Sequence, residues 1–286
     1  KRAQFIRSNV SLTILSLLSV VVSFISQMVL AYFFGAEGER DAYFSAVAVP
    51  SYIVTLFTGS LSVVLLPYYL EFKKSHPPTE ADKFVGALSG AIICFLGILV
   101  ILFWIFSQQI VTVIAPGFAG SQLVLTNHLF RILIFSVVFQ SLSSFITVFH
   151  HVEHRFVRPA IAPLIIPVVG LISVVLFNDM GIASLAVGTL AGSILGMVIL
   201  FPALGRLKFM HLASFNHPDV RTVIMLALPL LTSGAVYRLT TIAERIIASG
   251  LPTGSISYLG YSNQLYLALA TIATGSIATT FYPMMS

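Results

Sequence analysis

Arg238, Glu244 and Arg245 lie inside one long apolar run of this chain, and Arg131 lies inside another. A charge held within a hydrocarbon layer costs about 3 kcal/mol or more, so it faces a partner or a water-filled cavity. Arg238 and Arg245 are seven residues apart, which places both on one helix face, about two turns apart. Glu244 sits roughly 100° around the helix from Arg245. Arg238 is the deepest of these groups, whereas Arg131, Glu244 and Arg245 are near enough to span ends to snorkel outward. Asp41 opens a further run, where a carboxylate at a helix N-terminus favours a capping role. Gln27, Gln140, Asn263 and Gln264 add uncharged polar groups inside spans. The cavity candidates are therefore Arg238, Arg245, Glu244, Arg131, Gln264, Asn263 and Asp41.

Catalysis has little to stand on. There is no phosphate-binding glycine loop, zinc signature or nucleophile triad at a plausible depth, so neither enzyme activity nor a cofactor is expected. His150 and His154 have the i, i+4 spacing of metal ligands, but only Glu153 could join them, and no metal is expected. The single cysteine, Cys94, excludes an internal disulfide.

The elements that must carry these side chains are membrane spans. The chain is 57% hydrophobic and 9% charged, with mean hydropathy +0.98. A water-soluble domain needs about 25% charged residues to cover itself. Eight runs approach the roughly 20 residues that cross a bilayer as helix: 9–34, 42–69, 85–107, 122–150, 159–178, 181–204, 222–250 and 255–283. The resulting expectation is an all-α polytopic membrane protein. Threaded up and down, the connections on one side carry Lys1, Arg2, Arg7, Lys73, Lys74, Lys83, Arg155, Arg158, Arg206, Lys208 and Arg221, and those on the other carry only Arg40. The positive-inside rule then puts the N-terminus and the basic loops in the cytoplasm. The net charge of +5 meets anionic lipid headgroups there and does not indicate nucleic acid. The first run is too long for a cleaved signal segment and reads as retained.

An internal echo suggests two lobes. Gly59-Ser60 is followed by Pro67, and Gly275-Ser276 by Pro283, at the same spacing and 216 residues further on. A shift by six spans keeps the same orientation, as in parallel repeats of transporters. Residues 1–205 then form a six-helix lobe, 206–221 a cytoplasmic linker, and 222–286 the first two helices of a second lobe. Four more helices would complete that lobe, so the chain reads as part of a longer protein. Within the first lobe, Gly188, Gly192 and Gly196 recur every four residues, a pattern for close helix packing. Pro159, Pro163 and Pro167 share that spacing and predict a bent helix. Ala115-Pro116-Gly117-Phe118 predicts an outer turn, and Trp104 and Tyr282 are interfacial anchors.

Several segments, in order along the chain, resemble one family. Ala31-Tyr32-Phe33-Phe34-Gly35-Ala36 with Asp41-Ala42-Tyr43-Phe44 and Val49-Pro50 is similar to the first hairpin of the MurJ (MviN) lipid II flippases. Ala115-Pro116-Gly117-Phe118-Ala119 resembles their turn after the third helix, and Arg155-Phe156 with Pro159-Ala160 and Ala162-Pro163 their entry to the fifth. Glu244-Arg245, Ala248-Ser249 and Gly254-Ser255-Ile256-Ser257 resemble the hairpin between the seventh and eighth. The resemblance implies the MOP exporter superfamily fold, a helical bundle of two six-helix lobes with two further helices. It also implies a bacterial inner-membrane location and a lipid-linked glycan substrate moved between leaflets by alternating access. Cation or membrane-potential coupling, contact with membrane lipids and envelope-assembly partners come with it.

The chain departs from the family where its members carry arginines along the first two helices. Those positions read Val20, Ser26, Val54 and Thr55, and an arginine of the eighth helix is replaced by Gln264. Arg238 and Arg245, with Arg131, are the candidates to replace that charge. Two other readings compete with a flippase. A multidrug or organic-cation antiporter of the same superfamily would need a cavity acid, for which Glu244 is the candidate. A non-transporting membrane scaffold would need no cavity charge at all.

Overall fold

The computed structural model of the chain describes residues 2–201 and 217–285; the side chains of 2–14, 16–17, 237–238 and 271–285 are outside that description. The described elements are helices: α1 (Arg2–Phe34), α2 (Gly38–Ser75), α3 (Pro78–Ile105), α4 (Ser107–Ile114), α5 (Gly120–Val152), α6 (Val157–Leu176), α7 (Ala183–Leu200), α8 (Pro218–Ser249) and α9 (Ser255–Met285). A 3-10 turn at Asn178–Met180 joins α6 to α7. Among the described residues, α2, α3, α5, α6, α7 and α8 are long and apolar enough to cross a membrane. Helix is the conformation that satisfies every backbone N–H and C=O without water. Outward positions are apolar too: Ile98, Ile101 and Ile105 of α3 and Val175 and Leu176 of α6 are each more than half exposed. A surface of that kind faces lipid, and the chain is an all-α polytopic membrane protein.

Buried hydroxyls follow the same rule. Ser89, Ser136, Thr189 and Ser193 each donate to a carbonyl three or four residues earlier in their own helix. This keeps the polar atom paired inside an apolar bundle.

The third span differs from its expected extent of 85–107. It starts at Pro78, where a proline at the first helical turn lacks no bond the helix could use, and stops at Ile105. Phe106 leaves helical geometry at φ −90° and ψ 18°, and α4 continues to Ile114. The break turns Val111 and Ile114 into the core.

The turns α1–α2, α4–α5, α6–α7 and α8–α9 share one face of the bundle, here the hairpin face. Gly181 lies beside Glu39, Gly38 beside Thr253, and Gly117 against Ser249. The α2–α3 and α5–α6 turns, with Lys73, Lys74, Lys83, Arg155 and Arg158, form the opposite, basic face. There Tyr69, Phe72, Phe84 and Phe149 pack ring on ring, with Tyr69 and Phe149 edge to face at 5.0 Å. Most of the expected linker, 206–221, is outside the described residues, as are the side chains of the repeat's second copy, 275–283.

The α6 and α7 helices cross closely. A Cβ on Gly188 would stand 2.6 Å from Ser173 Cβ, and one on Gly192 would stand 2.7 Å from Ile166 Cα. Ser173 also donates across the crossing to the Ser184 carbonyl at 2.7 Å. The glycine spacing therefore serves backbone approach where no hydrophobic effect drives association.

Candidate functional site

Seven helices, α1, α2 and α5–α9, surround a cavity of about 450 Å³ that reaches from mid-bundle toward the hairpin face. Ser23, Ser26 and Gln27 of α1, Ser51 and Thr55 of α2, Gln140 of α5 and Thr189 of α7 give it a largely uncharged polar wall. Pro163 and Pro167 of α6 line it as well. Each removes an amide N–H from the ladder and frees the carbonyl four residues earlier. A second cleft shares Gln140, Pro163 and Ile166 with the cavity and continues along Thr58, Ser143, Ser144 and Thr147 toward the basic face.

Two guanidiniums lie at the hairpin end of the cavity. Arg40 is 1% exposed and donates from Nη2 to Gln27 Oε1 at 2.7 Å. Its charge sits 4.4 Å from the Phe44 ring centre, 5.3 Å from Tyr43 and 5.5 Å from Tyr261. Arg245 is half-buried, donates from Nη1 to the Ile256 carbonyl at 3.1 Å, and lies 5.6 Å from the same Phe44 ring. Among the described residues neither guanidinium has a carboxylate at ion-pair distance. Arg40 Nε, Arg40 Nη1 and Arg245 Nε are buried with no protein acceptor.

Above the arginines the hairpin face is closed by polar contacts between distant parts of the chain. Asp41 Oδ2 accepts from Gly254 N at 2.6 Å, and Oδ1 accepts from Ser257 N at 2.7 Å and Ser257 Oγ at 2.5 Å. These are the orphan donors at the start of α9, so Asp41 caps a helix 216 residues away. Tyr261 donates to the Gly35 carbonyl at 2.7 Å, and Gly117 N donates to Ser249 Oγ at 3.1 Å. Gly254 has φ +95°, and a Cβ there would stand 2.5 Å from the Ala36 carbonyl.

This arrangement brings together Arg245, Asn263 and Gln264 of the expected residues, all on the cavity wall. It separates the others. Asp41 is a latch behind the wall, and it caps α9 in place of the expected start of its own helix, because α2 begins earlier, at Gly38. Arg131 is outside the cavity: its Nε donates to Ser107 Oγ at 2.8 Å and its charge stacks 5.0 Å from Trp104. Those partners exist because the third span breaks at Phe106 and presents Ser107 to α5. Glu244 is exposed and does not line the cavity, being a step around α8 from Arg245. The side chain of Arg238 is outside the described residues.

Arg40 is the residue that charge counting misplaced. It was expected in an outer connection, yet α2 starts at Gly38 and carries it inward. A signal was present: Arg40, Tyr43 and Phe44 fall at i, i+3 and i+4, the spacing of side chains that meet on a helix. Of the positions where the resemblance implies arginine, Ser26, Thr55 and Gln264 are neutral groups on the cavity wall.

The comparisons with known proteins agree with this architecture. The chain is 25% identical, over 97% of its length, to the probable lipid II flippase MurJ of Buchnera aphidicola subsp. Acyrthosiphon pisum, and covers 56% of that protein. It is 26% identical, over 92% of its length, to the lipid II flippase MurJ of Burkholderia cenocepacia, covering 54% of it. A solved structure of lipid II flippase MurJ in an inward closed conformation superposes with TM-score 0.79 at 25% identity, over 90% of this chain and 54% of that one. The chain thus spans about half the length of the curated relatives it matches. The sequence profile of the lipid II flippase MurJ family matches residues 30–286, and the chain belongs to that family.

Proposed function

We propose that this chain serves a bacterial inner-membrane flippase that carries a polyprenyl-diphosphate-linked glycan, lipid II or a related cell-envelope precursor, from the inner to the outer leaflet. One observation carries the reading: in a chain of the MurJ family, a polar cavity with two guanidiniums lies beneath a closed hairpin face. A diphosphate headgroup needs positive charge in a hydrated cavity, while its lipid tail stays in the bilayer. Helices α1–α7 form one lobe, and α8 and α9 begin a second that rocks against it. The basic face is cytoplasmic on this reading, which the distribution of Lys and Arg supports. Coupling is to a cation or to the membrane potential, and the partners are the lipid-linked glycan, surrounding lipids and envelope-assembly proteins. An antiporter reading lacks support, because Glu244, its acid, is outside the cavity wall.

The test is replacement. The full-length protein is expressed in bacteria depleted of their own lipid II flippase, and lipid II on the outer leaflet is assayed. Restored exposure is expected, and Arg238→Ala and Arg245→Ala variants that still insert are expected to lose it. No restoration by wild type shown to be in the membrane would remove lipid II as the cargo.

A further inference from the structure

At the basic face, far from the cavity's arginines, the start of α8 is tied to the first lobe through one carboxylate. Tyr68 of α2 donates to Asp219 Oδ1 at 2.5 Å, and His217 Nδ1 stands 3.2 Å from Asp219 Oδ2. The His217 side chain is only 12% exposed, and its ring packs edge to face on Phe72 of α2 at 6.1 Å and Phe84 of α3 at 5.6 Å. His217 is the residue that caps α8, with Pro218 beginning the first turn. Ser, Thr, Asp or Asn would cap that turn better, so capping alone does not account for a histidine. What the imidazole adds is a second role for one nitrogen. With Nδ1 bare, it accepts from the Asp219 amide at a long 3.4 Å, and the same lone pair faces the Asp219 carboxylate. A proton on Nδ1 turns it into a donor to that carboxylate, and a fully protonated ring makes the contact an ion pair. The two roles exclude each other.

We propose that His217 is a proton-operated catch: a charged ring clamps Asp219, and with it the start of α8, onto α2 and α3, and loss of the proton lets α8 swing free. Histidine is the side chain that changes charge near neutral pH, so the catch responds within the physiological range. The clamped state holds the proton more tightly, so acid favours it and base releases it. Other groups face the ring from each element around it. Asp219 of α8 and Glu80 of α3, itself paired with Lys83 at 2.8 Å, favour the charged form. His76 of α2, stacked on Phe72 at 4.0 Å, opposes it when charged. Tyr68 meets the pair as a neutral donor and makes it a link between helices rather than a contact within α8. The catch stands on these contacts; its use in transport rests on the flippase reading, in which the second lobe moves against the first.

The test is a distance across the catch. Lys74 of α2 and Met225 of α8 are exposed. In full-length protein whose native cysteines, Cys94 included, are serine, Lys74→Cys and Met225→Cys carry spin labels. The distance between them is measured in lipid nanodiscs, without cargo, from about pH 5.5 to about pH 8.5. A short, narrow distance is expected in acid, and the ratio of long to short distances is expected to rise about tenfold toward base, the size of one charge-assisted contact. His217→Gln is expected to give one distribution at every pH. Tyr68→Phe, which keeps the ring and loses the donor, is expected to favour the long distance throughout. His76→Gln is expected to respond like wild type. An unchanged distribution in the protein with its catch intact overturns the proposal, and that measurement needs no variant of the catch to fold. A wild-type response in His217→Gln also overturns it, and so does loss of the response in His76→Gln, which would assign the proton to the other ring. The outcome is separate from the cargo. A pH-independent distance with restored lipid II exposure removes the catch and keeps the flippase reading, whereas a pH-dependent distance without restored exposure does the reverse.

Discussion

A single carboxylate carries much of the closure at the hairpin face. Asp41 accepts three short, buried hydrogen bonds from the start of α9. Asn in its place keeps the volume but loses the charge and turns one acceptor into a donor facing other donors. Asp41→Asn is expected to destabilise the protein by about 2 kcal/mol, the range for hydrogen bonds to a charged group. Thermal unfolding in detergent checks this, and an unchanged midpoint would show that the α9 amides find other partners. Gly254→Ala strikes the same contact from the other side, through its φ of +95° and the nearby Ala36 carbonyl. It is expected to lower the midpoint as well. Arg40 and Asp41 thus divide the work of one short segment: the arginine faces the cavity and the aspartate holds the turn above it.

At the scale of elements, α6 and α7 are the pair whose geometry depends most on small residues. Their backbones approach so closely at Gly188 and Gly192 that side chains have no room. Gly192→Leu is expected to force the helices apart and to cost about 1–3 kcal/mol, as overpacking does in close-packed interiors. The same substitution at Gly97, where a Cβ would meet nothing within 4 Å, is expected to be neutral. Comparing the unfolding midpoints of the two variants separates crossing geometry from loss of glycine itself. Pro163 and Pro167 of α6 lie on the cavity side of this pair.

At the scale of the molecule, the hairpin face is shut and must part for anything in the cavity to leave on that side. Gly38 of the first hairpin and Thr253 of the last are neighbours: a Cβ built on the glycine stands 3.7 Å from Thr253 Cγ2. In a Cys94→Ser background, Gly38→Cys with Thr253→Cys is expected to cross-link without added substrate. The oxidised protein should lose lipid exposure and the reduced protein recover it. Full transport by the cross-linked form would show that this face stays closed throughout the cycle. At the basic face Tyr68 donates to Asp219, and at mid-bundle Tyr52 donates to the Ala235 carbonyl, so α8 also touches α2.

Composition and hydropathy sufficed for an all-α membrane architecture, while run length missed the early start of the third span and its break at Phe106. Individual motifs were legible as well, including the glycine stripe and the Ala-Pro-Gly-Phe turn. What the linear pattern could not supply was which side chains meet across hundreds of residues. Asp41 read as a cap and is one, but for a helix whose first turn lies more than two hundred positions away. Arg131 read as a cavity charge and is held outside by Trp104 and Ser107, partners created by a break at Phe106. Arg40 read as a loop residue and is the most buried arginine among the described residues, because α2 begins at Gly38 and carries it inward. Burial and periodicity are properties of a segment and can be read along it. Partnership is a property of the packing, and it fixed which charges face the cavity.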